Sequence, residues 1–328
     1  MNFESIFQQF NQMKIAVLGD VMLDTYWWGH VDRISPEAPV PVVAFDKREV
    51  RIGGAGNVAL NTVSLGASTT ILTVIGNDND GKQLVDLLEQ NNISTKYIVT
   101  TPNRVTTNKT RIMSRNQQML RLDCEVTTDI NTDTEKQLLQ KIEEYFKIEQ
   151  PHVLIFEDYN KGVLTATVIN EVITLCKKYG VLTAVDPKRK NFLSFKSVDI
   201  FKPNLKEVKD GLNLLIDEVS LPVLQKIHIQ LQQILGHSIS LITLSEKGVF
   251  YQNGNESKII PTHVRNIADV SGAGDTVIAV ASLVYATTRQ IGLAAEMANI
   301  AGGLVCEEVG TAAIQKQKFL NECKKLLS

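Results

Sequence analysis

The sequence predicts an α/β protein, a mostly parallel sheet with helices on both faces and a small β lid. Three observations carry this. Short apolar runs alternate with helix-period segments along nearly the whole chain, the pattern of βαβ units with right-handed crossovers. The runs between Leu182 and Leu244 are apolar almost throughout, as in strands covered on both faces. Two stretches, Val31–Arg51 and Lys96–Asp123, break the alternation and are rich in Val, Thr and Ile.

In chain order, a strand at Ile15–Leu18 runs into Gly19-Asp20. The first β-rich stretch carries Pro36, Pro39 and Pro41 at turns or edges, where a missing N–H is tolerated. Glycine-rich Gly53–Ala59 opens a helix over Asn57–Leu65. Thr70–Ile75 reads as the next strand and Lys82–Gln90 as the next helix. The second β-rich stretch follows, and the two stretches together make one lid although they lie far apart in sequence. Helices over Asp133–Phe146 and Thr165–Lys178 alternate with strands at Val153–Phe156, Leu182–Val185 and Ile200–Phe201. A helix over Leu221–Leu235 leads to a strand at Leu241–Leu244, and the remainder is helical over Asp275–Tyr285, Ile291–Glu307 and Ile314–Leu327. No linker, low-complexity tract or repeat interrupts the chain, so one domain over residues 1–328 is expected.

With 44% hydrophobic and 21% charged residues, the 328-residue chain has an ordinary globular composition and can bury a large core. A net charge of −2 argues against whole-surface attraction to nucleic acid or anionic lipid. Neither a membrane-spanning apolar run nor a signal peptide is visible, and a cytoplasmic protein is expected. Cys124, Cys176, Cys306 and Cys323 form no CxxC, have no His at zinc spacing, and read as reduced thiols.

The chemistry concentrates in residues 269–276, Asp-Val-Ser-Gly-Ala-Gly-Asp-Thr, just before the apolar run Val277–Val284. A buried helix starting near Gly274 aims free N–H groups and the positive end of its dipole at one point. The N–H groups of Gly272, Ala273 and Gly274 then form an anion cradle. Asp275 stands in the same turn. A carboxylate beside such a cradle repels the anion and needs a task; taking the proton of an attacking hydroxyl is one. Together these residues suggest phosphoryl transfer to an alcohol, although a lone helix cap with a solvated Asp would look the same. Asp20, Asp24 and Asn57 sit at strand ends or a helix start, where polar groups can converge on a hydroxyl-rich ligand. Gly53 and Gly54 let the backbone approach it. Between Thr101 and Leu122 the cations Arg104, Lys109, Arg111, Arg115 and Arg121 occur without one Asp or Glu. Such a run suits a phosphate already on the substrate, and equally an aggregation-resistant edge strand. Two other motifs are weak. Gly54–Ala59 fits G-x-G-x-x-A but lacks a buried strand before it, and Gly76–Lys82 fits a P-loop but continues with Gln83.

Gly53–Ala59 and Asp269–Thr276 resemble the two signatures of the ribokinase-type (PfkB) carbohydrate kinases. Asp186-Pro187-Lys188, Lys202-Pro203-Asn204-Leu205-Lys206-Glu207 and Thr243-Leu244-Ser245-Glu246-Lys247-Gly248 agree, in the family's order and over nearly the whole chain. Leu18–Asp24, Arg33–Pro41 and Ser114–Asp123 further resemble one subgroup, the D-glycero-β-D-manno-heptose 7-phosphate kinases of lipopolysaccharide-core synthesis. Many of those carry an adenylyltransferase domain. This chain shows no His-x-Gly-His motif and resembles the stand-alone kinase. It departs from the subgroup's Ser-Asp-Tyr at Glu157-Asp158-Tyr159, where Glu157 adds a charge near the expected sugar site.

The resemblance implies ATP and Mg²⁺ as cofactors, a heptose phosphate as substrate, no nucleic-acid or membrane partner, and a homodimer through the lid. It implies that Asn204 and Glu207 order Mg²⁺ and phosphate, Glu207 through water. Ser245, Lys247 and Gly248 at a strand end, with Asn299 and Gly303 on a later helix, are the expected nucleotide contacts. Asp158, Lys188, Arg111 and Arg115 join Asp20, Asp24, Gly53, Gly54 and Asn57 as expected substrate contacts. A kinase for another sugar, phosphosugar or nucleoside stays open, as do, more remotely, a dehydrogenase and a non-catalytic sugar-binding protein.

Overall fold

The computed structural model describes residues 2–115, 117–215 and 218–327; Asn116 of the Ser114–Asp123 segment lies outside the described residues. The chain opens with α1 (Phe3–Gln9) and β1 (Lys14–Gly19), sends out a long hairpin, β2 (Val21–Ile34) and β3 (Pro41–Gly54), and returns through α2 (Ala55–Ser64) to β4 (Ser68–Leu72). β5 (Val74–Gly76), α3 (Asn79–Gln90) and β6 (Val99–Thr101) lead to a second hairpin, β7 (Asn108–Ser114) and β8 (Gln117–Cys124). Alternation resumes with α4 (Thr132–Glu149), β9 (Val153–Glu157), α5 (Ala166–Tyr179), β10 (Leu182–Asp186), β11 (Ile200–Phe201), α6 (Leu205–Leu212), α7 (Leu221–Leu235) and β12 (Ile239–Thr243). An antiparallel pair, β13 (Val249–Asn253) and β14 (Glu256–Ile260), precedes α8 (Ala273–Thr288), α9 (Ile291–Val305) and α10 (Lys316–Leu327).

The main sheet has the order β14-β13-β12-β11-β10-β9-β1-β4. It is parallel from β12 to β4, and its central strands are buried along their length because helices cover both faces. One apolar core joins α1, α2, α3, α8, α9 and α10 to the sheet, and a second joins α4, α5 and α7 to the opposite face. α8 is apolar on every side because it lies inside the first core, where Asp275–Val284 are all buried. From β1 the chain goes outward to β4, then crosses to β9 and proceeds the other way. Ligands bind at such a reversal, outside the carboxyl ends of the strands. Among the described residues no helix is long and apolar enough to cross a membrane.

A second sheet, β3-β2-β7-β8, stands beside the first, with the parallel pairing of β2 and β7 joining the two antiparallel hairpins. Its root is buried at Val21–Tyr26 and Ile52–Gly54. Strand alternation puts Asp24, Tyr26 and Arg111 on one face and Trp27, Leu120 and Leu122 on the other, where Trp27 packs on Phe45.

Several element limits differ from expectation for local reasons. Thr70–Ile75 is two strands, because buried Thr73 turns its hydroxyl to the Gly19 carbonyl (2.7 Å) and β5 then pairs with β6. The first β-rich stretch was expected from Val31, but β2 begins at Val21, deep in the core. In the second, β6 leaves for the β5 pairing and only Asn108–Cys124 joins the hairpin sheet. The antiparallel edge β13/β14 and the short helices α1 and α6 lie outside the expected elements.

Candidate active site

β1, β9 and β10 end side by side and carry Asp20, Glu157 and Asp186 to the carboxyl edge of the sheet. α8 begins at the same place. Its N-cap, Gly272, has φ +80°, a conformation that favours glycine, and a Cβ there would lie 2.8 Å from the Asn57 side-chain nitrogen. The N–H groups of Gly272 and Gly274 have no acceptor among the described residues, whereas Ala273 N–H donates to the Val270 carbonyl at 3.3 Å. Two of the three expected cradle donors are therefore free.

Asp275 stands in the first turn of α8, buried. Its Oδ2 accepts from Asn57 Nδ2 and its Oδ1 from Tyr159 Oη, each at 2.7 Å. Burial pushes the Asp275 carboxyl up to about 6, against the pull of those two donors. Asp186 meets Lys202 Nζ at 2.6 Å and Lys188 Nζ at 3.3 Å, and Lys188 reaches Glu207 at 2.6 Å. Burial alone would raise the Asp186 carboxyl; the two ammonium groups outweigh it and hold it low. Glu157 has no such partner. Burial, then the charges of Asp186 and Asp275, drive it well above the usual carboxylate range.

Asn204 and Glu207 form a reciprocal cap at the start of α6: Glu207 N–H donates to Asn204 Oδ1 and Asn204 N–H to Glu207 Oε2, both at 2.8 Å. This cap, with the Lys188 bridge, fixes Glu207 at the rim of the cluster.

An oriented, buried carboxylate at a helix N-terminus, with free N–H donors beside it, is equipped for proton abstraction next to an anion. Residues 12–318 match the pfkB family of carbohydrate kinases. The chain belongs to that family. It is 36% identical over 321 residues to bifunctional protein HldE of Geobacter sulfurreducens, covering 97% of this chain and 64% of that protein. With bifunctional protein HldE of Aliarcobacter butzleri the identity is 40% over 300 residues, covering 91% and 62%. The chain thus spans somewhat under two thirds of the length of these relatives. Among solved structures, phosphofructokinase-2 from Escherichia coli shares the fold, with TM-score 0.78, 18% identity and coverage of 95% and 99%.

Several residues of this PfkB kinase that are expected at the substrate have partners within the protein. Asp20 accepts three backbone N–H groups, from Tyr159 (3.0 Å), Lys161 (2.9 Å) and Val163 (3.1 Å). Asp158 accepts from Asn160 N–H and Asn191 Nδ2, and burial lifts it to about 6. Asp24 is paired with Arg111 Nη1 at 2.6 Å. Gly53 and Gly54 make room first for the protein itself, since side chains there would collide with Asp24 and with the Asp20 carbonyl. Arg115 is exposed in the turn at the hairpin tip, just past the end of β7 and at φ +50°.

On the other flank, Ser245 and Lys247 are exposed in a short turn after β12, which Gly248 closes at φ +98°. Asn299 on α9 donates to the Pro261 carbonyl at 2.8 Å, and Gly303 lies against the Arg265 side chain.

Sequence reasoning had assigned no role to Tyr159, Asp186 or Lys202. Lys202 directly follows the apolar strand pair Ile200-Phe201 and is buried, which a lysine accepts only with a partner. Tyr159 lies 116 residues from Asp275 in sequence, and only the folded chain brings them together.

Proposed function

We propose that this carbohydrate kinase transfers the γ-phosphoryl group of ATP to the C1 hydroxyl of D-glycero-β-D-manno-heptose 7-phosphate, giving the 1,7-bisphosphate. The observation that carries the reaction type is Asp275, buried, doubly hydrogen-bonded and set beside the free N–H groups of α8. The sugar is suggested by Leu18–Asp24, Arg33–Pro41 and Ser114–Asp123, which resemble the heptose 7-phosphate kinases.

Asn57 and Tyr159 orient the Asp275 carboxylate, and a base near 6 is mostly ionised at neutral pH. As the sugar oxygen bonds to the γ-phosphorus, its proton passes to Asp275 and the bond to the β–γ bridging oxygen breaks, the electron pair leaving with ADP. Charge on the transferred group falls to the Gly272 and Gly274 N–H donors. Glu207 suits Mg²⁺ reached through water: its anionic oxygens engage Lys188 and Asn204 N–H, and each keeps a further lone pair. The ion would neutralise phosphate charge.

Arg111 is taken by Asp24, and Arg115 stands far out. Arg104 lines a small cleft with Asp20 and Lys161, and its Nη1 has no partner among the described residues. It is the cation we place at the substrate phosphate, which has to widen that cleft, about 10 Å³ and room for one water, to reach it. The hairpin sheet serves as the lid, and its exposed Phe45, Leu120 and Leu122 suit the lid of a second copy.

A substrate panel tests the reading. Two charge-assisted hydrogen bonds at about 1.5–3 kcal/mol each give the 7-phosphate a kcat/KM at least ~10² above the unphosphorylated heptose, and Arg104→Gln reduces that ratio. Equal kcat/KM for both sugars would sink the substrate assignment, and turnover of a different sugar alone would replace it.

A further inference from the structure

Glu157 closes β9 in the middle of the sheet, in register with Gly19 of β1 and Asp186 of β10. The side chain is wholly buried, and neither carboxyl oxygen has a hydrogen-bond partner among the described residues. One of those oxygens lies within 4.8 Å of carboxyl oxygens of both Asp186 and Asp275. The charged groups that face it are Asp186 from β10, Asp275 from α8, Lys202 after β11 and Lys188 after β10.

The charges around it are already matched. Lys202 belongs to Asp186, and Lys188 is divided between Asp186 and Glu207. Asp275 has the Asn57 and Tyr159 donors and the dipole of α8. Nothing is left for Glu157, and a carboxylate stripped of water and donors does not stay ionised. One unmatched charge calls for one proton. Mg²⁺ keeps several waters of its own, and the Glu157 side chain is wholly buried, with no room for a hydrated ion beside it.

We propose that Glu157 stands as a neutral acid beside Asp275 and is a positioning residue, keeping the carboxyl group next to the base uncharged so that the base can accept a proton. Ionised Glu157 at 4.8 Å or less would raise Asp275 by at least about 2.5 pH units at an effective dielectric of about 20. A base that starts at about 6 would then be mostly protonated, and idle, at neutral pH.

The kinetic part of the test rests on Asp275 being the base; the spectroscopic part does not. Infrared difference spectra of the full chain, wild type minus Glu157→Gln, are expected to show the carbonyl band of a protonated, buried carboxylic acid that moves in D₂O. Loss of a carboxylate band instead overturns the proposal. In wild type alone an acid band is expected to persist at about pH 8, where Asp275 and Asp158 are ionised, and its absence there overturns the proposal even where the variant fails to fold. In kinetics, the acid limb of kcat/KM for Glu157→Gln should stay within about half a pH unit of wild type, and a fall of about 2.5 units would mean that Glu157 had been ionised. Mn²⁺ titrated into nucleotide-free protein is expected to find no site that Glu157→Gln abolishes; a stoichiometric site lost in the variant puts a metal where we place the proton. If the heptose reading fails, the limb is read with whichever sugar is phosphorylated, and the infrared result stands by itself.

Discussion

Tyr159→Phe removes one of the two hydrogen bonds on the Asp275 carboxylate, the 2.7 Å bond to Oδ1, and leaves the Asn57 bond in place. Burial, then the charge of Asp275, holds the Tyr159 hydroxyl well above its ordinary value, so it is a donor throughout the accessible pH range. A donor to the ionised form lowers a carboxyl pKa, and its loss raises it. A hydrogen bond to a charged group contributes about 1.5–3 kcal/mol and one pKa unit is about 1.36 kcal/mol, so the expected rise is about 1–2 units. From a start of about 6, the variant's base titrates at about 7–8. At pH 7 the wild-type carboxyl is about nine-tenths ionised and the variant's between about one-half and one-tenth, so, with Asp275 as the proposed base, kcat/KM falls roughly 2- to 10-fold there and recovers above about pH 9. The assay is coupled ADP release at sugar concentrations below KM, across the acid limb. Asp275→Asn provides the contrast, with a loss of at least ~10² at every pH while ATP still binds. A limb that stays in place or moves down in Tyr159→Phe refutes the reasoning. An equal fall at all pH values would assign Tyr159 to holding substrate rather than the base.

Two further outcomes concern stability. Arg111→Met strands the buried carboxylate of Asp24, whose side chain is 5% exposed, and should lower urea stability by about 3–5 kcal/mol; adding Asp24→Asn should restore part of it, and no loss would mean that the pair is solvated. Burial depresses His237 to about 4 and also lowers His228, both of which share Ser240 Oγ at 2.7 and 2.9 Å. The folded state favours the neutral rings, so this contribution is complete above the unfolded value of about 6.5 and is lost as pH falls from there toward 4. His237 alone accounts for roughly 3 kcal/mol, and denaturation at pH 7 and near pH 4 should show His237→Phe losing less than wild type over that interval.

The parallel strands and long helices were legible because burial on both faces leaves continuous apolar runs and amphipathic helices repeat every 3.6 residues. The edge strand β14 was not, since half-exposed Glu256–Ile260 carries no such run. Thr73 defeated the reading of one strand because its hydroxyl bond to Gly19 is tertiary. The same division runs through the candidate site. The glycines and Asp275 sit within one turn, and local sequence is enough to place them together. The Asn57–Asp275 bond joins residues 218 apart, and Asp20 is tied to a loop some 140 residues on. Sequence position showed that these groups were polar and near strand ends, but not that they would satisfy one another.

That mutual satisfaction changes what Asp20 does. Its three backbone bonds gather residues 159–163, and the same loop presents the Tyr159 hydroxyl to Asp275. A carboxylate used in this way acts on the reaction through Tyr159, whereas one that contacts a sugar acts on binding. The two roles separate in the kinetics. Asp20→Asn loses charge-assisted acceptance from the loop and should displace the acid limb upward in the direction of Tyr159→Phe, with kcat falling more than KM rises. In the double variant the two effects should be far from additive, because both pass through one hydroxyl. If Asp20→Asn instead raises KM for the sugar, leaves the limb in place and adds fully to Tyr159→Phe, Asp20 contacts the substrate directly and the loop does not need it.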